Sequence, residues 1–278
     1  MLLSIRHVTT YSYEPDASRL ALRLRLFPAT IPSQTPIDWS VTVNGETAST
    51  PIVNSFGDQE AIWQSKGEIE TCEIIAEGKV QTTDVTGLLK DWRMAARPSV
   101  FLRDTPLTLA EETIKALADS VSDETGLALA HALSSAVHDR IEYKPGATDA
   151  STTAAEALTI GAGVCQDHTH VMIATSRAMG CPARYVVGYL LPDAEEDEVE
   201  IPAETHAWAE IWIDGLGWVG FDATNRICPT DRYVRLASGL DANDAAPIHG
   251  AVVGSVAETL EAEVAVSAIT QSQQQSQS

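Results

Sequence analysis

Ten residues, GAGVCQDHTH at 161–170, bring a thiol, a carboxylate and two imidazoles together behind three small residues. Cys165 in this stretch has three readings: a nucleophile, a metal ligand, or a buried thiol among polar neighbours, since free cysteine is among the most buried residue types. A nucleophile needs a base to take its proton and a third group to orient that base. Two later segments, ETHAWAEIWI at 204–213 and GWVGFDAT at 217–224, offer His206 and Asp222 for these tasks.

The elements decide whether these groups can meet. CQDHTHVMIATSRAMG reads as a buried helix ending at Gly180, with Pro182 beyond it as a stop signal. Cys165 then lies in the first helical turn, where unpaired N–H groups and the positive end of the dipole favour negative charge. Those N–H groups are candidate oxyanion donors. The glycines before the thiol predict open access for a substrate backbone.

ETHAWAEIWI alternates strictly, with His206, Trp208, Glu210 and Trp212 on one face and Ala207, Ala209, Ile211 and Ile213 on the other. GWVGFDAT reads as its antiparallel partner, with the turn at Asp214–Gly217. Register matters here, because a slip of one residue reverses every side chain. A two- or four-residue loop sets Asp222 opposite Ala209, on the wrong face. A three-residue loop with a glycine bulge sets it opposite Trp208, diagonal to His206 on the same face. The spacing therefore predicts an odd loop or a bulge at Gly215–Gly217.

Other chemistry competes for the same side chains. Cys165, Asp167, His168, His170 and His206 are possible metal ligands, but on a helix His170 is turned about 140° from Cys165. The strong zinc spacings C-x-x-C and H-E-x-x-H are missing. We expect no metal, with His168 as a supporting group or spare base and His170 as a core residue. Cys181 and Cys228 each precede a proline and Cys72 sits in a strand, so all three read as packing cysteines. The acidic run DAEEDEVE at 193–200 reads as a solvated loop or as a cleft rim that favours cationic substrates.

Around these elements the chain divides by texture. Residues 1–85 predict an N-terminal β-rich domain. RLALRLRLF sets Leu20, Leu22, Leu24 and Leu26 on one face against Arg23 and Arg25, and IDWSVTVNGE runs into an Asn44–Gly45 hairpin turn. Segments 107–119, 124–140 and 153–160 predict helices within a core over 86–265, and the Gln/Ser-rich tail 266–278 predicts disorder. A net charge of −21 argues against nucleic-acid and anionic-membrane partners. Four scattered cysteines and no signal-like N-terminus predict a reducing, cytoplasmic setting.

GAGVCQDHTHVMIATSRAMGCPARYVVGYL, ETHAWAEIWIDGLGW and VGFDATN together resemble the transglutaminase-like superfamily of cysteine enzymes. LSIRHVTTYSYE, FLRDT at 101–105 and YVRLASGLDANDAAPIHG at 233–250 resemble its bacterial subgroup with an added N-terminal β-domain. The resemblance covers nearly the whole chain apart from the tail. It implies an α+β fold, an N-terminal antiparallel β-domain followed by a papain-like transglutaminase core of helices packed on an antiparallel sheet.

The resemblance also implies a thioester acyl-enzyme, with Cys165 as nucleophile, His206 as base and acid, and Asp222 as orienter. Gln166, Asp167, His168 and Trp208 are the candidate substrate-binding or supporting residues, although His168 stands where an aromatic residue is also common. The expected substrate is a peptide or protein amide, with hydrolysis ahead of transfer to an amine acceptor, and no cofactor is required. A non-catalytic binding module of the same fold is the rival reading. The oligomeric state is left open.

Overall fold

The computed structural model describes residues 1–90, 92, 94–192 and 205–269; the acidic run at 193–200 and residues 270–278 of the expected tail lie outside the described residues. Seven strands come first: β1 (Leu2–Ala17), β2 (Arg19–Phe27), β3 (Gln34–Val43), β4 (Glu46–Thr47), β5 (Ile52–Val53), β6 (Gln59–Gln64) and β7 (Ile69–Thr82). Alternation builds them. Leu20, Leu22, Leu24 and Leu26 of β2 are all buried with Leu3 and Ile5 of β1 and Ile74 and Ala76 of β7. Asn44 and Gly45 both take positive φ, 48° and 76°, and Val43 pairs with Glu46 across this two-residue turn, as Asn-Gly predicts.

Next come β8 (Leu88–Leu89), α1 (Glu112–Asp119), α2 (Gly126–Arg140), β9 (Glu142–Tyr143), α3 (Ala154–Ile160), β10 (Ala162–Gly163) and α4 (Cys165–Ala178). They are followed by β11 (Ala183–Leu190), β12 (His206–Ile213), β13 (Gly217–Phe221), β14 (Tyr233–Gly239) and α5 (Ala242–Ala245). The larger strands form an antiparallel sheet in the order β14-β11-β12-β13-β8. Helix α4 packs on β11 and β12 and is flanked by α1, α2 and α3, so every residue from Asp167 to Arg177 is buried. The architecture is the expected α+β one, helices on an antiparallel sheet behind a strand-rich N-terminal region. No helix among the described residues is long and apolar enough to cross a membrane.

After this sheet the chain returns to the N-terminal region. β15 (Ile248–Val253) pairs with β2, and β16 (Ala257–Ala268) pairs with β1 along twelve residue pairs. Residues 248–265, expected with the core, therefore extend the N-terminal sheets, and 266–268, expected in the tail, continue a strand. Long antiparallel edges attract strands whatever their distance in sequence, and local patterning carries no mark of the partner.

One N-terminal side chain departs from its expected place. Arg25 is 2% exposed, although alternation put it on the polar face of β2. It donates to Asp58 Oδ2 at 3.2 Å and to the Ser238 carbonyl at 2.8 Å. Asp58 also accepts from Arg235 at 2.6 Å, and Arg235 donates to Glu210 Oε1 at 3.0 Å. Glu210 Oε2 takes Arg184 Nε at 2.6 Å, and the Arg184 guanidinium lies 4.1 Å from the centre of the Trp218 ring. Three guanidiniums and two carboxylates are thus withdrawn from water between the N-terminal strands and the second sheet.

Arg177 clamps the other end of α4. Its guanidinium donates to the carbonyls of Phe101 (3.0 Å), Ala183 (2.9 Å) and Leu240 (2.7 Å) and to Thr108 Oγ1 (2.7 Å). A cation in the last helical turn also meets the negative end of the dipole.

Removing one member of a buried ion pair strands its partner, at about 3–5 kcal/mol. Glu210→Ala is therefore expected to lower the unfolding free energy by about that amount in urea titration. A loss well under about 1 kcal/mol, typical of an exposed pair, would contradict the role given to Glu210.

Candidate active site

The β12–β13 hairpin closes through the loop Asp214–Leu216, with Ile213 opposite Gly217, Trp212 opposite Trp218 and Ala209 opposite Phe221. The loop is odd, with Gly215 and Gly217 both at positive φ (80° and 98°), so Asp222 follows on the face that carries His206. His206 Nε2 and Asp222 Oδ2 are 2.6 Å apart. The side chain of Asp222 is fully buried and that of His206 is 12% exposed.

Asp222 is crowded with donors. Its Oδ2 also accepts from Tyr233 Oη at 2.7 Å and Asn225 Nδ2 at 2.8 Å, while Oδ1 accepts from Asn225 N–H at 3.1 Å. Burial works against the carboxylate, but hydrogen bonds and charge from His206, Tyr233 and Asn225 outweigh it and hold Asp222 below the ordinary aspartate value. Burial likewise works against the imidazolium. Hydrogen bonds and charge from Asp222 and Cys165 prevail, and His206 is pushed up to about 10. With Nε2 committed to Asp222, Nδ1 is the ring nitrogen that serves Cys165.

Cys165 is half-buried at the start of α4. Asp167 Oδ2 accepts from Val164 N–H at 2.8 Å and Thr148 Oγ1 at 2.7 Å, and the Val164 carbonyl takes the N–H groups of Asp167 and His168. The N–H groups of Cys165 and Gln166 remain as first-turn donors beside the sulfur. Gln166 is itself half-buried next to the thiol. The glycines have a different task from the access expected of them. A Cβ at Gly163 would stand 2.5 Å from Asp167 Oδ2, so Gly163 makes room for the helix cap, while Gly161 ends α3 in the left-handed conformation.

His168 turns both ring nitrogens to backbone carbonyls, Val164 at 2.9 Å and Ile141 at 3.0 Å. It joins the first turn of α4 to the residue after α2 and has no nitrogen left for the thiol. His170 is a core residue, as expected: its Nε2 accepts from Ala242 N–H at 3.1 Å, and burial pushes it down to about 4. Trp208 stands beside His206 in an offset stack, with ring centroids 6.4 Å apart and planes 26° from parallel, and meets Tyr233 edge-on at 5.5 Å. The structure thus gathers Cys165, His206, Asp222 and Trp208, while Asp167 and His168 brace the turn that carries Cys165.

Sequence reading missed four contributors. Asn225 stands three residues after Asp222 in DATN, a spacing that favours a side-chain-capped turn and could have been noticed. Tyr233 lies on β14 and carries no local signal. His138 Nδ1 donates to the carbonyls of Ala223 (3.0 Å) and Thr224 (3.1 Å), holding the turn that follows Asp222. Gly188 pairs with His206 across β11 and β12, and a Cβ there would meet the Val234 carbonyl at 2.1 Å and Trp208 at 2.7 Å.

Comparison with known proteins adds the following. The model of the transglutaminase-like superfamily matches residues 115–223, a span that contains Cys165, His206 and Asp222. The model of the bacterial transglutaminase-like N-terminal region matches residues 3–81. An uncharacterized protein of Mycobacterium leprae is 27% identical over 277 residues, covering 95% of this chain and 98% of that protein. An uncharacterized protein of Mycobacterium tuberculosis is 36% identical over 127 residues, covering 43% of this chain and 40% of that protein.

A protein-glutamine gamma-glutamyltransferase of Pseudomonas aeruginosa is 31% identical over 109 residues, covering 37% of this chain and only 16% of that protein. Among solved structures, a candidate cysteine protease from Cytophaga hutchinsonii aligns with a TM-score of 0.74 at 24% identity, covering 98% of this chain and 92% of that one. This last likeness is one of fold.

Two outcomes follow from the geometry. Gly188→Ala displaces Trp208 or β14, and unfolding measurements are expected to register an overpacking cost of about 1–3 kcal/mol; unchanged stability would refute the close approach. The His206–Asp222 pair also sets a pH window. The raised His206 value contributes stability fully below about 6.5, lost as pH rises through about 10. The lowered Asp222 value contributes stability above its ordinary 3.8, lost as pH falls below that. The stability difference between the native protein and His206→Ala should therefore be greatest between these limits and shrink on either side.

Proposed function

Because the chain belongs to the transglutaminase-like superfamily, we propose that it is a cysteine-nucleophile acyl-transfer enzyme acting on amide bonds. The observation that carries the reading is the buried 2.6 Å pair of His206 and Asp222, with Cys165 as the second partner of the same imidazole. In this reading the proton of Cys165 already rests on His206 Nδ1, and the sulfur attacks the amide carbonyl carbon from a thiolate–imidazolium pair. The carbonyl oxygen gathers negative charge against the N–H groups of Cys165 and Gln166. As the C–N bond breaks, His206 returns the proton to the departing amine and leaves a thioester on Cys165. Asp222 keeps its hydrogen bond to Nε2 throughout, fixing the tautomer and stabilising the imidazolium.

Water then attacks the thioester, its proton passing through His206, and the acid leaves with the thiol restored. Hydrolysis is the preferred ending because water is available wherever the thioester is. Transfer to an amine is the second reading, supported by the stretch similar to the Pseudomonas aeruginosa glutamyltransferase. The reading needs no metal or organic cofactor. It keeps the protein in a reducing, cytoplasmic setting, to which its four free cysteines are suited.

Incubation with a peptide and amine library, followed by mass spectrometry, tests the proposal. The expected result is an acyl adduct on Cys165, absent in Cys165→Ala, with turnover reduced about 10²–10⁴-fold in His206→Ala. A hydrolysed or aminated product distinguishes the two endings. If the native thiol reacts with iodoacetamide no faster than the thiol of His206→Ala, the protein is a binding module and the proposal fails.

A further inference from the structure

Tyr233 reaches Asp222 from β14, and β14 is an edge strand of its sheet. An edge strand is positioned on one side only unless something else occupies its free backbone groups. Here the N-terminal strands do so with side chains. Gln34, the 2% exposed first residue of β3, uses Oε1 to accept from Arg235 N–H at 2.7 Å and Nε2 to donate to the Arg235 carbonyl at 2.8 Å. These are the two bonds that a residue of a neighbouring strand would make.

Three residues on, Asp58 Oδ2 accepts from Ser238 N–H at 2.8 Å, and Arg25 donates to the Ser238 carbonyl. Asp58 also takes the side chain of Arg235. Side chains two apart on a strand share a face. Arg235 and Tyr233 accordingly point the same way, toward Glu210 and Trp208 of β12.

We propose that the N-terminal strands are a positioning element of the site, in which Gln34 and Asp58 set β14 and β14 sets the Tyr233 hydroxyl on Asp222. The inference rests on the cysteine-enzyme reading for its consequence. Tyr233 and Asn225 share Asp222 Oδ2 with His206, so they draw off part of the charge that would otherwise act on the imidazolium. Among the described residues, the titratable groups facing the His206 ring are Cys165 from α4, Asp222 after β13 and Tyr233 from β14.

The test is the titration of His206 followed by NMR on histidine-labelled protein. Tyr233→Phe removes only the hydroxyl, and the His206 midpoint is expected to rise by a few tenths to about one pH unit. Gln34→Leu touches none of Cys165, His206 and Asp222, and it is expected to raise the midpoint in the same direction. In the double variant it should add nothing to the effect of Tyr233→Phe, because both act through one hydrogen bond. Gln34→Glu, which keeps the acceptor for Arg235 N–H and loses the donor, carries the same test should the leucine variant not fold.

A Gln34 variant that lowers the melting temperature but leaves the midpoint in place overturns the inference alone, and so do additive effects in the double variant. A Cys165 thiol whose reactivity toward iodoacetamide does not depend on His206 overturns the enzyme reading, whatever the Gln34 and Tyr233 variants do to the midpoint.

Discussion

Glu210 is a carboxylate without water, held between Arg184 and Arg235. Burying such a charge costs several kcal/mol, offset only when its hydrogen bonds are short and well aligned. That requirement leaves β11, β12 and β14 little freedom, since each contributes one member of the group. A register slip on β12 would turn Glu210 toward α4, into the apolar layer of Ala207, Ala209 and Ile211. The same slip would carry His206 away from Asp222. The ion group is thus a register lock for the strand that presents the imidazole.

The site combines two modes of support. α4 is buried along its length and clamped by Arg177 at one end and by Asp167 and His168 at the other, so the thiol stands on a rigid element. His206 and Asp222 stand at the opening end of a hairpin, where backbone pairing is ending, and side chains take over the restraint. Trp208 supports the ring, Tyr233 and Asn225 hold the carboxylate, and His138 holds the turn beyond it.

What the sequence made legible was local. The period-two pattern of 204–213 and the glycines at 215 and 217 predict the hairpin, its odd loop and the face shared by His206 and Asp222. The buried helix at 165–178 follows equally from its composition. What escaped depends on partners far along the chain. Arg25 alternates like a surface residue, yet Asp58 and Ser238 await it 33 and 213 positions away. Gln34 is an unremarkable polar residue until β14, 201 positions later, needs a neighbour. Gly163 looked like an opening because its occupant, Asp167, fills the space only when the helix folds back on its own first turn.

The return of β16 to β1 has a bearing on how the protein is made. β1 is flanked on one side by β7 and on the other by β16, which follows the whole core in sequence. A ribosome therefore completes the whole helix-and-sheet unit while one side of β1 still exposes a long row of unpaired amides and carbonyls. Contacts of such long sequence separation form late and slowly. Until residues 257–268 emerge, the nascent chain carries this edge uncovered, and β16 acts as the seal that ends this exposure.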